Sequence, residues 1–280
     1  MNLSEARRLT AERLRASGIE SPAREAELLL AEAARISRSF LAVHPSLPLE
    51  EAAALRLFEM TELRCCGEPL QYLLGSWEFY GRPLDVAPGV LIPRADTEVL
   101  VEQALSLLPP AGRFLDWGTG SGCIALALLA ERPDLSGVAV DANPQALSLS
   151  WRNLKKHGLL SRCFLWHSRS PEDIPARDGE FDLVVSNPPY IPSSRLSGLP
   201  REVRKEPLSA LDGGDDGLCW YREIFRWAPA KLRSGGRLLF EIGDGEQGEQ
   251  LTGIAPSSLE FNGIFHDMSC KPRAVSWLRV

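Results

Sequence analysis

The chain has no apolar run long enough to cross a bilayer. Its first residues, Met1-Asn2-Leu3-Ser4-Glu5-Ala6-Arg7-Arg8, are polar rather than the apolar core of a secretory signal. A membrane protein or an exported one is disfavoured, and a cytoplasmic protein is expected. Excess positive charge is missing too. The 280 residues carry 31 Lys and Arg against 37 Asp and Glu, a net charge of −6. Phosphate neutralisation needs clustered cations, so a broad grip on nucleic acid is not expected, although a local basic groove stays open. The six cysteines include no C-x-x-C pair. Cys65 and Cys66 are adjacent, while Cys123, Cys163, Cys219 and Cys270 stand alone. Neither a zinc site nor a disulfide framework is signalled. Cys163 and His167 lie four apart and read as a partly buried thiol near an incidental imidazole, so no metal is expected. There are no internal repeats and no low-complexity tracts.

What is present is ordinary globular material, 44% hydrophobic and 24% charged, in a length that suits two domains. Residues 1–75 read as a helical bundle. Leu3, Ala6 and Leu14 begin an amphipathic pattern that stops near Gly18. Ser21-Pro22 reads as a cap followed by proline at the first helical position, with Ala26, Leu29, Leu30 and Ala33 on one face. Ser37–Leu41 starts a short helix. Glu50–Arg64 is a further helix, with Ala54, Leu57, Phe58 and Leu63 expected on its inner side. Residues 76–88 carry two short aromatic or aliphatic runs around Gly81-Arg82 and read as a β-hairpin linker. Residues 89–280 alternate strand and helix. Expected strands are Arg113–Asp116, Gly137–Val140, Cys163–Trp166, Leu183–Ser186 and Arg237–Ile242, with an antiparallel pair near Phe261–Phe265 and Ala274–Arg279. The pattern indicates an α/β fold with a doubly wound, mostly parallel sheet.

Two motifs carry chemistry. Ser186-Asn187-Pro188-Pro189-Tyr190 follows the apolar strand around Leu183. Asn187 offers a side-chain carbonyl and an amide. The prolines stiffen the turn and supply no N–H donors, so carbonyls there can point at a guest. Tyr190 adds a flat wall. Two acceptors and an aromatic face suit a planar NH2 group. The second motif is Asp116-Trp117-Gly118-Thr119-Gly120-Ser121-Gly122, between a strand and a helix. Its G-x-G-x-G spacing differs from the G-x-G-x-x-G of dinucleotide sites. An acid at Asp116 would repel a pyrophosphate and attract an ammonium, while the helix N-terminus can take a carboxylate. Asp141 falls about twenty residues later, where an acid accepts ribose hydroxyls.

These motifs resemble one known family, the release-factor glutamine methyltransferases (the HemK/PrmC family). The resemblance runs through Gly67-Glu68-Pro69-Leu70-Gln71-Tyr72-Leu73-Leu74-Gly75, Phe79-Tyr80-Gly81, Leu91-Ile92-Pro93-Arg94-Ala95-Asp96-Thr97-Glu98, the Asp116–Gly122 loop, Asp141-Ala142-Asn143-Pro144 and the Asn187–Tyr190 turn. It extends to Glu206–Gly217 and Glu241-Ile242-Gly243. The Asn-Pro-Pro-Tyr turn is shared with DNA adenine and rRNA guanine methyltransferases, while the hairpin and the Ile-Pro-Arg segment are more specific.

The resemblance implies a Rossmann-like class I methyltransferase dependent on S-adenosylmethionine (SAM), with S-adenosylhomocysteine as product, preceded by a helical domain that docks the partner. It implies that the glutamine of the Gly-Gly-Gln motif in class-1 peptide chain release factors is methylated in translation termination. Asp116, Gly118, Thr119, Gly120, Ser121, Gly122, Asp141, Ser168, Arg169 and Asn187 would bind the cofactor. Asn187, Pro188 and Tyr190 would be catalytic, and Leu91 and Pro189 would join them around the substrate. Three positions depart from the family pattern: Trp117 for the usual Leu, Leu91 for a Phe found in some members, and Ser168-Arg169 for an Asp-Trp pair near adenine. The rival readings are a nucleic-acid amine methyltransferase, a non-catalytic SAM-binding module and, more distantly, a dinucleotide oxidoreductase. The first needs an electrostatic track, the second has no use for Asn187, and the third does not match the glycine spacing. No membrane contact and no direct nucleic-acid partner are expected.

Overall fold

A computed structural model describes residues 1–280. The chain divides into two compact units. The first holds Met1–Ser76 together with Pro200–Lys205, and the second holds Trp77–Leu199 and Glu206–Val280. The short segment Pro200–Lys205 therefore groups with the helices, although its place in the sequence lies far inside the α/β region.

The first unit contains α1 (Leu3–Ala16), α2 (Pro22–Ala34), α3 (Arg38–Val43), α4 (Glu51–Cys65) and α5 (Leu70–Leu74). Asn2 caps α1, its Oδ1 accepting the Glu5 N–H at 2.8 Å. Pro22 opens α2 as expected, but the Ser21 hydroxyl makes no cap bond. α5 was not anticipated, because five residues are too few for a periodic signal. Buried residues recur every three or four positions along α1 (Leu3, Ala6, Thr10, Leu14) and α2 (Ala26, Leu29 or Leu30, Ala33), and with Leu57 of α4 they close the bundle.

The inner face of α4 differs from the expectation. Its buried residues are Ala53, Leu57, Thr61 and Arg64, and Phe58 and Leu63 are exposed. The reason is electrostatic. The buried Arg64 guanidinium holds Glu25 of α2 by two bonds, Nε–Oε2 at 2.6 Å and Nη2–Oε1 at 3.1 Å. It also reaches Glu202 at 2.9 Å and the Glu68 carbonyl at 3.2 Å. A helix that turns Arg64 inward carries Phe58 and Leu63 outward.

The second unit opens with the hairpin β1 (Ser76–Phe79) and β2 (Arg82–Asp85), then α6 (Thr97–Leu107). Next come β3 (Arg113–Trp117), α7 (Cys123–Glu131), β4 (Ser136–Asp141), α8 (Pro144–Lys156), β5 (Cys163–His167) and β6 (Phe181–Ser186). It ends with α9 (Cys219–Lys231), β7 (Leu232–Glu241), α10 (Gly245–Ile254), β8 (Leu259–His266) and β9 (Pro272–Arg279). Each expected strand is present. β7 begins five residues earlier than expected because it runs through Gly235-Gly236. The sheet order is β5-β4-β3-β6-β7-β9-β8. β9 pairs antiparallel with β7 and β8, and the other pairs are parallel. This is an α/β fold with a mostly parallel, doubly wound sheet of seven strands.

Alternation along the strands splits the core into two layers. Phe114, Leu183, Val185 and Leu239 pack with Leu100, Val101 and Ala104 of α6 and with the apolar stretch Cys123–Leu129 of α7. Leu115, Val184, Leu238 and Phe240 pack with Tyr221, Ile224 and Phe225 of α9. Strands buried on both faces read as continuous apolar runs, which is why the sequence displays them plainly.

The Arg64–Glu25 pair gives a stability test. Glu25→Ala leaves a buried guanidinium with only Glu202 as a counter-ion. Removing one partner of such a pair costs about 3–5 kcal/mol, and Glu202 places the expected loss near about 3 kcal/mol. Urea unfolding followed by circular dichroism measures it. A loss under about 1 kcal/mol would show that the pair does not hold the bundle.

Candidate functional site

The sheet order reverses between β3 and β6. From β3 the chain winds outward through β4 to β5, and from β6 it winds the other way to β7. Adjacent parallel strands at such a point leave a crevice beyond their carboxyl ends. Here Trp117 and Ser186 are register partners, and the Ser186 hydroxyl donates to the Trp117 carbonyl at 2.6 Å. The glycine loop leaves from one strand and the Asn187 turn from the other. A cavity of about 260 Å³ lies there, lined by Gly118, Gly120, Asp141 and Asn187 among others.

The glycines divide into two roles. All three have positive φ: 74° at Gly118, 57° at Gly120 and 82° at Gly122. A Cβ added at Gly118 or Gly120 meets nothing, whereas at Gly122 it collides with the Ser150 side chain. The first two keep the cavity clear, and the third lets α7 pack close to α8. Gly122 is accordingly not part of the cavity wall. Asp141 braces this loop. Its Oδ2 accepts the Gly120 N–H and its Oδ1 the Asn143 N–H, both at 2.8 Å. Each oxygen keeps a lone pair for a further donor.

Asp116 is placed differently from the expectation. It is fully buried and does not line the cavity. Its Oδ2 accepts the Thr119 hydroxyl at 2.7 Å and the Ala125 N–H at 3.3 Å, while Oδ1 has no partner. It holds the loop from beneath, because alternation along β3 turns it toward α7 rather than outward. Burial pushes its carboxyl up to about 7 against those two hydrogen bonds, and Asp141 adds to the rise.

Thr119, Ser121, Asp141, Ser168 and Arg169 do reach the cavity. The Ser168 hydroxyl is spent on the Ser170 carbonyl, and Arg169 is exposed. On the far wall Asn187, Pro189 and Leu91 reach the cavity, whereas Pro188 and Tyr190 do not. The Tyr190 ring instead packs where Gly243 has no side chain, and its carbonyl accepts Gln247 Nε2 at 3.2 Å. Burial raises its phenol well above the usual tyrosine range. It supports the turn from behind rather than covering the cavity.

Several wall residues were not foreseen as site residues. Trp117 and Trp220 form an aromatic pair with ring centroids 5.6 Å apart. Thr97 Oγ1 accepts from Asn187 Nδ2 at 3.2 Å. Pro207, Ser209 and Ala210 line the cavity because Glu206 is anchored, accepting the Ile92 N–H at 2.9 Å and pairing with Arg94. A signal existed in the proline-stiffened Ile92-Pro93-Arg94 and Glu206-Pro207 segments, but their meeting spans more than a hundred residues of sequence.

The loop yields a contrast. Gly120→Val should keep the fold, at a backbone cost of about 1–2 kcal/mol for a side chain at positive φ, while filling the cavity mouth and abolishing nucleoside binding. Gly122→Ala should instead lower stability through the Ser150 collision. Calorimetric titration beside thermal melts checks both, and unimpaired binding by Gly120→Val is the contrary result. Asp116 gives a pH test. Its pKa is raised on folding, so the folded state holds more protons between about 4 and 7 and stability falls as pH rises through that range. Asp116→Asn removes the penalty. The ligand-free variant should lose less stability than the parent between pH 5 and 8, by about 2–3 kcal/mol, in urea titrations.

Known proteins place these features. Residues 5–75 match the model of the PrmC N-terminal domain, and residues 94–197 match that of the methyltransferase small domain. The release factor glutamine methyltransferase of Geobacter sulfurreducens is 47% identical over 240 residues, covering 85% of this chain and 82% of that protein. That of Cereibacter sphaeroides is 40% identical over 282 residues, covering 99% and 98%. Among solved structures, a methyltransferase from Pyrococcus furiosus superposes with a TM-score of 0.51 at 15% identity, over 70% of this chain and 87% of that one. With such identity over nearly the whole length, this chain belongs to the release factor glutamine methyltransferase family.

Proposed function

We propose that this enzyme transfers a methyl group from SAM to the side-chain amide nitrogen of the glutamine in the Gly-Gly-Gln motif of class-1 peptide chain release factors. The observation that carries the reading is Asn187, on the cavity wall directly across the strand switch from the glycine loop. The cavity's residues fit SAM. Gly118 and Gly120 leave open space where side chains would stand. Asp141, whose carboxylate oxygens accept the Gly120 and Asn143 N–H groups, has lone pairs left for ribose hydroxyls. Thr119 and Ser121 would hold the amino-acid end near the start of α7, and Ser168-Arg169 the adenine end. Bound there, SAM supplies a methyl group made electrophilic by its sulfonium.

The rest falls to the protein's own groups. An amide nitrogen is a poor nucleophile, its lone pair delocalised into the carbonyl, and its N–H is too weak an acid for an ordinary side-chain base. What remains available is position and electrostatics. The Asn187 Oδ1 on the cavity wall, and the Pro188 carbonyl next to it in the turn but outside the cavity lining, would each accept one hydrogen of the substrate NH2. That fixes the nitrogen and favours a lone pair directed into the cavity. Both acceptors bind the nitrogen more strongly as it becomes cationic, so they favour the transition state over the ground state, and the now strongly acidic N–H then gives its proton to water, leaving the neutral methylated amide. Holding two reactants in place supplies up to roughly 7–11 kcal/mol in ideal cases. Leu91 and Pro189 would flank the glutamine, with Tyr190 keeping the turn rigid from behind. The helical unit, which has no chemical motif, would orient the large protein substrate, since one glutamine presents little surface to recognise.

Mass spectrometry of release factor incubated with enzyme and SAM tests this reading. A gain of one methyl on the Gly-Gly-Gln glutamine is expected. Asn187→Ala should lower kcat at least 100-fold with SAM affinity within a few-fold of the parent. Substantial turnover by that variant at saturating SAM would remove Asn187 from its role. Run on both intact factor and a short Gly-Gly-Gln peptide, the same assay should give the higher kcat/KM for the intact factor. Equal values would argue against docking.

A further inference from the structure

Asn187 does not act alone. Near the end of β6 Val185 lies on the α6–α7 face of the sheet, and alternation carries Asn187 to that same face. On the neighbouring strand β7, Leu239 occupies the same face, and two residues on stands Glu241. Glu241 is 2% exposed. Its carboxyl meets the side chains of Thr97 and Asn187, whose hydrogen bonds favour its ionised form. Its Oε2 has no partner. Thr97, the first residue of α6, sits between the two and accepts from Asn187 Nδ2 at 3.2 Å. The NH2 end of Asn187 is thus claimed from within the protein, and the carbonyl end is left for a ligand.

We propose that Glu241 is the positioning residue of the transfer site: with Thr97 it takes the NH2 end of Asn187, fixes which way the amide points, and holds a negative charge behind the acceptor that meets the substrate nitrogen. The inference rests on the functional reading above and adds a residue to it. Orientation alone needs only a neutral acceptor. A carboxylate in an apolar layer is costly, and its charge finds a use at this place. A carboxylate behind an amide N–H strengthens that bond and polarises the amide, so that its oxygen is a better acceptor. In a dry site the effect grows as positive charge appears on the substrate nitrogen.

The surroundings set when that charge is present. Burial pushes the Glu241 carboxyl up to about 7, Asp96 adds to the rise, and Arg273 and the Thr97 and Asn187 hydrogen bonds oppose it. Arg273 is itself shared with Asp96 at 2.7 Å and Asp267 at 2.8 Å. The phenols of Tyr190 and Tyr221 and the Cys123 thiol also face Glu241, and all three are raised and stay neutral near pH 7. Tyr221 donates to the Glu241 backbone carbonyl at 2.7 Å. Of these neighbours Glu241 is the one that titrates near pH 7, as Asp116 does two strands away on β3, and the ionised, active form of Glu241 accumulates as pH rises through about 7.

Two measurements on the full-length protein test this. In ¹⁵N-labelled wild type, the Asn187 side-chain NH2 signals should shift with pH about a midpoint near 7, and in Glu241→Gln they should not. This arm needs no substrate, so it is read separately from the identity of the methyl acceptor. On release factor, Glu241→Gln should lower kcat 10- to 100-fold. KM and SAM affinity should stay within about twofold, and the rise of kcat with pH should disappear. Thr97→Val should lower kcat without removing that rise. An Asn187 NH2 that ignores pH in the wild type overturns the proposal even if no variant folds. A Glu241→Gln enzyme with the parental kcat and pH profile overturns it equally.

Discussion

Polar side chains buried at the carboxyl ends of apolar strands are the constraint on which this site depends. Period-two alternation puts Phe114 and Asp116, Val185 and Asn187, and Leu239 and Glu241 on one face of the sheet. Up to that last step the face is packed with the apolar surfaces of α6 and α7. Asp116 and Glu241 cannot reach bulk water, and Asn187 meets it only at the cavity, so partners for these groups come largely from inside. The two helix starts meet them. α7 gives Asp116 the N–H of Ala125 at 3.3 Å, and α6 gives Asn187 and Glu241 the hydroxyl of Thr97. Helix N-termini also carry the positive end of the peptide dipoles, which favours the two carboxylates.

That arrangement explains why the loops beyond the strands hold their shape without regular structure. The glycine loop is fastened at three points. Thr119 is tied down to Asp116, Gly120 is tied across to Asp141, and the Gly118 and Thr119 N–H groups bond the Val140 carbonyl at 2.8 and 2.9 Å. The opposite wall is fastened by Glu206, a buried acid that accepts the Ile92 N–H and pairs with Arg94. Both walls are therefore held by carboxylates acting on backbone N–H groups, bonds stronger than neutral ones.

The α/β region was legible in the sequence because its strands are buried on both faces and its turns carry glycine and proline. The Asn187–Tyr190 turn and the glycine loop were legible for the same reason. The inner face of α4 was not, since Leu57 is shared by both candidate stripes. The choice between Phe58 and Arg64 rests on Glu25, which lies on another helix. The placement of Asp116 beneath its loop follows from the parity of β3, and reading the motif as a string of contacts to a ligand hides that parity. Tyr190 turned away because Gly243 leaves a hollow more than fifty residues downstream. The meeting of Glu206 with Ile92 and Arg94, and of Glu241 with Asn187, are likewise consequences of sheet order, which no local pattern states.

The same geometry accounts for an amide, rather than an acid, at position 187. Both side chains could accept hydrogen bonds from a substrate NH2. A carboxylate at 187 would face Glu241 across Thr97, and two acids in one dry site cannot both stay ionised. One would take a proton, and the pair would titrate as a unit near neutral pH. The amide escapes this. On the proposed mechanism its donor end meets the buried acid and its acceptor end faces the cavity, so one neutral side chain would connect an internal negative charge to a nitrogen that becomes positive during reaction. Asparagine is uncharged and donates at one end while accepting at the other, so it fits a position with a carboxylate behind it and an NH2 group in front.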